Sequence, residues 1–315
     1  MDILLLWRSD EPSRRTEVAQ AVREASRLCS RSREAPNRPL AVGPCPPLII
    51  DDALPYFEDT PKFLKSMNPH RRDHLAGHII VWIAQVSQAH DSLAFLEPCL
   101  DGRDRERAAR FRFPEDRARF ILGRGLLRKC LGHYLPQSPK TVELALTNRG
   151  RPFFPRDEKL QFSISHTHDL VAVALTADAR IGLDLEFVQP DLNLIELAER
   201  IFSPDDLRAF QALPAAEKPA AFFRAWTRKE AYLKARGEGI AEKLQEISVS
   251  FGPEKTVSVT DGRDKYAANT WRLLSLPVPA GYAGTLACDD PAKRVEGAFV
   301  HLREGEIIAN ASQPF

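Results

Sequence analysis

From His78 onward the chain alternates short apolar runs with amphipathic stretches. His78–Val86 (HIIVWIAQV) is nearly continuous in apolar residues and rich in β-formers, which predicts a buried strand. Arg103–Phe113 and Glu115–Tyr134 carry helical spacing and are separated by Pro114, which cannot continue a helix. A short strand near Val142–Leu146 and a Gly-Arg-Pro turn at Gly150–Pro152 follow. Leu160–Ser165, Leu170–Thr176 and Arg180–Val188 then read as three strands on tight polar turns, the middle one apolar throughout and the last alternating. Helices are predicted at Leu192–Ile201, Pro204–Leu213 and Pro219–Ala235, and strands near Ile247–Phe251, Thr270–Leu274, Tyr282–Ala287 and Gly297–Leu302.

Strands followed by helices thus occur twice, which implies an α+β protein of two related halves, residues 78–159 and 160–315. The first 77 residues differ. They are Arg-rich from Arg8 to Arg38 and Pro-rich around Pro44, Pro46 and Pro47, a composition that favours an irregular, partly disordered extension. Within it, Glu17–Leu28 has the spacing of one amphipathic helix.

A length of 315 residues is enough for one large core or two smaller ones. The formal net charge of +1 provides no global attraction to nucleic acid or membrane, so electrostatic recognition has to be local. Five scattered cysteines, Cys29, Cys45, Cys99, Cys130 and Cys288, form no CxxC pair and fit a reducing cytoplasm. The apolar run Ile3–Trp7 is too short for a membrane span or a signal core, and no export or anchor is expected.

Five constellations carry possible chemistry. In IGLDLEF (Ile181–Phe187), strand alternation puts Gly182, Asp184 and Glu186 on one face and Ile181, Leu183, Leu185 and Phe187 on the other. Adjacent carboxylates repel unless a cation or proton separates them, although the exposed face of an edge strand explains the same pattern. In FFRAWTRKEAYLK (Phe222–Lys234), Phe222, Ala225, Trp226, Lys229, Glu230 and Leu233 recur at three and four residue spacing, and Lys234 lies one turn beyond Glu230. An ordinary surface pair between Glu230 and Lys234 is the plain alternative. FSISHTHD (Phe162–Asp169) ends a strand in Ser165 and His166, suited to phosphate contact. Nine arginines lie between Arg103 and Arg128, including Arg107, Arg119 and Arg124, with no nucleic-acid-binding signature beside them. His70, His74 and His78 repeat every four residues, but no acid or cysteine near them in sequence completes a zinc set.

Taken singly, each feature has a dull structural explanation. In order, GRP at Gly150, FSISH at Phe162, GLDLE at Gly182 and WTRKEAYLK at Trp226 resemble the motif series of the Sfp-type 4'-phosphopantetheinyl transferases, over roughly His78–Leu302. The resemblance implies two similar α/β halves related by a pseudo-twofold, with coenzyme A between them. It implies Mg²⁺ on Asp184, Glu186 and Glu230, a hard ion suited to carboxylates shared with a pyrophosphate. The implied reaction is attack of a carrier-protein serine on the β-phosphate of coenzyme A, with adenosine 3',5'-bisphosphate leaving.

By the same resemblance Glu230 is the general base, directly or through a metal-bound water, with Glu186 the alternative. Lys234 and Lys229 neutralise pyrophosphate charge, and His166 holds the phosphates from the other side. Arg107, Arg119, Arg151, Pro152, Ser165 and His166 fall where coenzyme A binds. Ala118 stands where some relatives have histidine, Arg107 and Arg151 where lysines occur, and Asp206 where a longer acid is common. An acyl or peptidyl carrier protein is the implied partner, docking on Phe187–Phe202 and part of the arginine cluster, and a monomer is implied. A Mg²⁺-dependent phosphodiesterase, or a non-catalytic module binding coenzyme A or a carrier, would use the same residues.

Overall fold

The computed structural model describes residues 72–303 except 136, 149, 190–191 and 239–243, together with strand residues 306–309 and 313–314. The expected extension up to residue 71, its Glu17–Leu28 helix and His70 lie outside the described residues. In chain order the elements are α1 (Arg72–Gly77), β1 (His78–Gln85), α2 (Leu93–Leu96), α3 (Gly102–Ala109), α4 (Pro114–Tyr134), β2 (Ala145–Leu146), β3 (Pro152–Phe153), β4 (Leu160–Thr167), β5 (Leu170–Ala177) and β6 (Ile181–Phe187). They continue with α5 (Leu194–Ile201), α6 (Pro204–Ala212), α7 (Lys218–Arg236), β7 (Ile247–Ser248), β8 (Thr256–Val257), β9 (Thr260–Asp261), α8 (Ala267–Thr270), β10 (Arg272–Ser275), β11 (Tyr282–Cys288), β12 (Arg294–Arg303), β13 (Glu306–Ala309) and β14 (Gln313–Pro314).

Local chemistry sets the helix ends. Asp101, Asn193 and Ser203 cap α3, α5 and α6, each accepting from a backbone N–H three residues on. Phe113 is extended (φ −104°, ψ 132°) because the residue before proline avoids the helical region, and α3 has already stopped at Ala109, short of the expected Phe113. Gly237 terminates α7 in the left-handed conformation at φ 71°, where glycine carries no Cβ penalty. The strand expected at Val142–Leu146 is reduced to β2, and the one expected at Ile247–Phe251 to β7.

Two sheets form the body. One has the order β13-β12-β1-β5-β4, with β14 also on β12, and the other has the order β6-β11-β10-β8. Alternation along the strands divides the apolar residues among three cores. Ile80, Trp82, Val171, Val173 and Leu175 face α4 with Ile121, Leu122, Leu126 and Leu127. Ile79, Val81, Ile83, Leu170, Ala172 and Ala174 face Ile181, Leu183, Leu185, Leu274 and Leu286 of the other sheet. Ala283, Ala287 and Leu273 face Ala231 and Tyr232 of α7. The layers therefore run helix, sheet, sheet, helix, as expected for two strand-and-helix halves.

Strand pairing divides the halves differently from residues 78–159 and 160–315. β4 and β5 hydrogen-bond into the sheet of β1, and β12 returns to pair with β1 in parallel, because these strands share the apolar face that covers α4. The second sheet starts only at Ile181.

The edges of the two sheets meet at β4 and β6 without a backbone ladder. Leu183 N–H donates to Ser163 Oγ at 3.0 Å, Leu185 N–H to Ser165 Oγ at 3.1 Å and Phe187 N–H to Thr167 Oγ1 at 3.2 Å. Three hydroxyls at alternate positions of β4 thus satisfy three donors of the β6 edge.

Candidate functional site

The three acidic residues converge because α7 lies directly on β6. A Cβ on Gly182 would stand 2.0 Å from the Ala231 carbonyl oxygen and 2.5 Å from the Ala235 nitrogen, so only glycine permits this approach. The expected exposed face of an edge strand is consequently covered by the helix. Asp184 and Glu230 are 3% and 1% exposed, and Glu186 is half-buried at the rim.

On α7 the residues that meet this face are Trp226, Glu230 and Lys234, spaced by four along one stripe. Trp226 Nε1 donates to Glu186 Oε1 at 3.3 Å, and Thr167 Oγ1 donates to Glu186 Oε2 at 3.5 Å. Lys234 Nζ reaches Asp184 Oδ1 at 2.5 Å and also the Leu183 carbonyl and Ser165 Oγ. Ser165 donates to the same Asp184 oxygen at 3.2 Å. Asp184 Oδ2 and both carboxylate oxygens of Glu230 are buried with no hydrogen-bond partner among the described residues.

The electrostatics follow from that crowding. Burial, then the charge of Asp184, pushes Glu186 and Glu230 up to about 8. Burial pulls Lys234 down, but Asp184 and Glu230 outweigh it, so its pKa is raised and the ammonium is held charged. The set of oxygens suits a hard divalent cation. Two adjacent acids, each with at least one buried and unsatisfied oxygen, cost much less when a cation lies among them.

Across the seam, His166 is half-buried, and burial followed by the charges of Arg119, Lys234 and Arg107 holds its imidazole well below the usual histidine range. Its neutral ring faces a cationic group of side chains suited to phosphates. Arg119 donates to the His168 carbonyl at 2.8 Å and pairs with Asp116, while Arg107 stands 5.0 Å over the Phe120 ring. His168 (φ 44°) stacks on Phe187 at 4.6 Å.

Three expected site residues are placed elsewhere. Lys229 is fully buried on another face of α7, one residue and so about a quarter-turn from Glu230. Its Nζ donates to the Ile201 and Leu244 carbonyls at 3.0 and 2.9 Å, lies 3.8 Å from Asp206 and 5.0 Å over Phe202, and burial lowers its pKa to about 8. Asp206 thereby serves as the charge partner of Lys229. Arg151 turns inward onto the carbonyls of Lys234 at 2.9 Å, Ile181 at 3.4 Å and Phe162 at 3.5 Å, joining α7, β6 and β4, and the neighbouring Pro152 is buried at the start of β3. Arg124 and Arg128 are likewise structural: both pair with Asp104, and Arg128 also with Asp101. Along the expected docking stretch Leu194 is buried, Leu192 and Leu197 pack against the core, and Ile195 is exposed.

The sequence reading did not foresee the contacts of Trp226 and Thr167 to Glu186. The four-residue spacing Trp226, Glu230, Lys234 carried that signal, and the stripe through Lys229 obscured it.

The profile of the 4'-phosphopantetheinyl transferase superfamily matches residues 180–287, and that of the 4'-phosphopantetheinyl transferase N-terminal region matches residues 85–178. The two matches meet where the first sheet passes to the second. The chain is 38% identical to the 4'-phosphopantetheinyl transferase HetI of Nostoc sp. over 205 residues, 64% of this chain and 84% of that protein. It belongs to the 4'-phosphopantetheinyl transferase family.

The transferase is also similar to psf-1 of Bacillus pumilus (28% identity, 66% of this chain and 92% of that protein) and to AcpT of Salmonella typhimurium (36%, 45% and 70%). Asp184, Glu186, Glu230 and Lys234 of this transferase fall inside the first matched region, and Arg107, Arg119, Ser165 and His166 inside the second. No helix among its described residues is long and apolar enough to cross a membrane.

Proposed function

We propose that this transferase moves the 4'-phosphopantetheine group of coenzyme A onto a serine of an apo carrier protein at the junction of β6 and α7, using Asp184, Glu186 and Glu230 as ligands of Mg²⁺. One observation carries the assignment: three carboxylates meet under α7, and Asp184 Oδ2 and both Glu230 oxygens are buried without a hydrogen-bond partner among the described residues. When bound there, Mg²⁺ supplies positive charge to the pyrophosphate and to the carboxylates together.

The side chains divide the remaining work. Lys234, already charged and fixed against Asp184, stabilises negative charge that grows on the phosphates during transfer. His166, with Arg119 and Arg107 near it, binds the phosphate groups of coenzyme A from the β4 side. Glu230 is the proton acceptor. Glu186 has one oxygen engaged by Trp226 and the other by Thr167, whereas neither Glu230 oxygen has a hydrogen-bond partner among the described residues, which leaves one for the metal and one for the proton. The serine oxygen forms a bond to the β-phosphorus, its proton passes to Glu230, and the bond from that phosphorus to the bridging oxygen breaks, releasing adenosine 3',5'-bisphosphate. Arg151 and Lys229 have no direct part; each holds backbone in place.

Mass spectrometry of apo carrier proteins incubated with enzyme, coenzyme A and Mg²⁺ tests the proposal. The carrier gains one phosphopantetheine group with wild-type enzyme and none with Asp184→Ala. Release of free phosphopantetheine with no change in carrier mass would instead indicate a phosphodiesterase. Normal transfer by Asp184→Ala would overturn the metal assignment.

A further inference from the structure

The histidines His74 and His78 have no part in the transfer site, yet the fold completes them. They stand four residues apart where α1 passes into β1, and β12, running parallel to β1, sets Glu296 opposite Ile80. His74 Nε2 lies 3.2 Å from Glu296 Oε2, and His78 Nε2 lies 3.4 Å from Glu296 Oε1. Ligand atoms around a tetrahedral zinc with bonds of about 2.0–2.1 Å are themselves roughly 3.3 Å apart, and each imidazole nitrogen stands at about that distance from an oxygen of the same carboxylate, His74 from Oε2 and His78 from Oε1. The three ligand atoms all lie within 4.8 Å of one another.

The hydrogen bonding adds a second argument. His78 Nδ1 is 3.0 Å from the His74 carbonyl oxygen, which can only accept, so Nδ1 carries the proton. In a neutral ring, Nε2 is then a bare lone pair aimed at a carboxylate oxygen. Two acceptors facing one another require a cation, or an added proton, between them. A backbone carbonyl that fixes the far ring nitrogen is also the usual support of a metal-bound histidine. The two imidazoles stack in near-parallel planes, 4.0 Å between centroids and 8° apart, so both present Nε2 on the side of Glu296. The nearby Lys293 ammonium is directed to the Leu75 and Ala76 carbonyls. The three side chains are 21% to 33% exposed, accessible to an ion from solvent.

We propose that His74, His78 and Glu296 form a second metal site, two imidazoles and one carboxylate for a divalent transition metal such as zinc, which pins α1 and the start of β1 to β12. Imidazole nitrogen selects zinc and its neighbours over Mg²⁺, so this site and the all-carboxylate site differ in kind.

Equilibrium dialysis of the full-length protein against micromolar Zn²⁺, with excess Mg²⁺ to fill the carboxylates, tests the proposal. Wild-type protein is expected to retain one zinc per chain. His78→Ala and Glu296→Gln are expected to lose it or bind at least roughly tenfold more weakly, since losing a ligand costs no less than losing a supporting partner. Zinc-free transfer to an apo carrier serves as the check on folding and is expected to be unchanged in both variants; His74→Ala provides the same comparison should His78→Ala fail that check. Absence of zinc binding by the wild type, or equal binding by wild type and variants, would overturn the site.

Discussion

Glu230 is the side chain on which burial and chemistry pull hardest in opposite directions. It is buried, carries no hydrogen bond among the described residues, and burial together with Asp184 raises its pKa to about 8. Glu230→Gln keeps the shape and removes the charge. Transfer should fall by at least about 100-fold, the usual scale of a lost general base. The Mg²⁺-free variant should melt higher than wild type near pH 7, because the wild-type carboxyl, raised to about 8, has to take up a proton on folding and the amide does not; thermal denaturation beside a carrier mass assay checks both. Lys229 and Arg119 separate along a different line. Lys229→Met should cost roughly 3 kcal/mol by leaving Asp206 and two carbonyls without their buried cation, while the KM for coenzyme A of the folded fraction stays unchanged. Arg119→Ala should do the reverse, raising that KM about tenfold, equivalent to about 1.4 kcal/mol of binding, with little loss of stability. Urea titration and steady-state kinetics on the two variants distinguish these roles.

Among the elements, the contact of α7 with β6 is the least tolerant. Gly182→Ala places a methyl 2.0 Å from the Ala231 carbonyl, so helix and strand must part. The expected result is a destabilisation of roughly 3 kcal/mol, at the upper end for overpacking, and loss of Mg²⁺-dependent transfer even where the variant folds, since Asp184 and Glu230 separate. Circular dichroism melting and the carrier assay read the two effects. The longer strands and helices were legible in the sequence because their hydrophobic periods are unmixed: β1 and β5 are apolar on both faces, and a proline stands in the first turn of α4 and of α7. The acidic residues of β6 were legible as a same-face pair. What periodicity does not carry is the distance between elements. It places Lys229 beside Glu230 in the chain, whereas a rotation of about 100° per residue sends one into a bed of carbonyls and the other into the site. Nor does it carry strand pairing across long separations, so the transfer of β4, β5 and β12 to the first sheet appears only in the folded chain.

The whole molecule inherits the conflict of its acidic centre. Glu186 and Glu230 are raised from 4.5 to about 8, so between those values the native state holds more protons than the unfolded chain. The stability that these two groups contribute is fully present below about pH 4.5 and is lost as pH rises through about 8. The melting temperature of the Mg²⁺-free protein should therefore decline between pH 6 and pH 9. Mg²⁺ should flatten that decline, because the ion favours the ionised carboxylates that high pH produces. Melting curves with Mg²⁺ and with a chelator, across that range, decide it; a decline of equal slope in both would show that the carboxylates do not receive the ion. The hydroxyls of Ser163, Ser165 and Thr167 have a further consequence for the molecule in a crowded solution. β6 ends its sheet, and a bare terminal strand with free N–H groups invites a strand from another chain. By taking the N–H groups of Leu183, Leu185 and Phe187, the three hydroxyls cap that terminus from within, and the strand edge that carries Asp184 and Glu186 is closed to aggregation by strand addition.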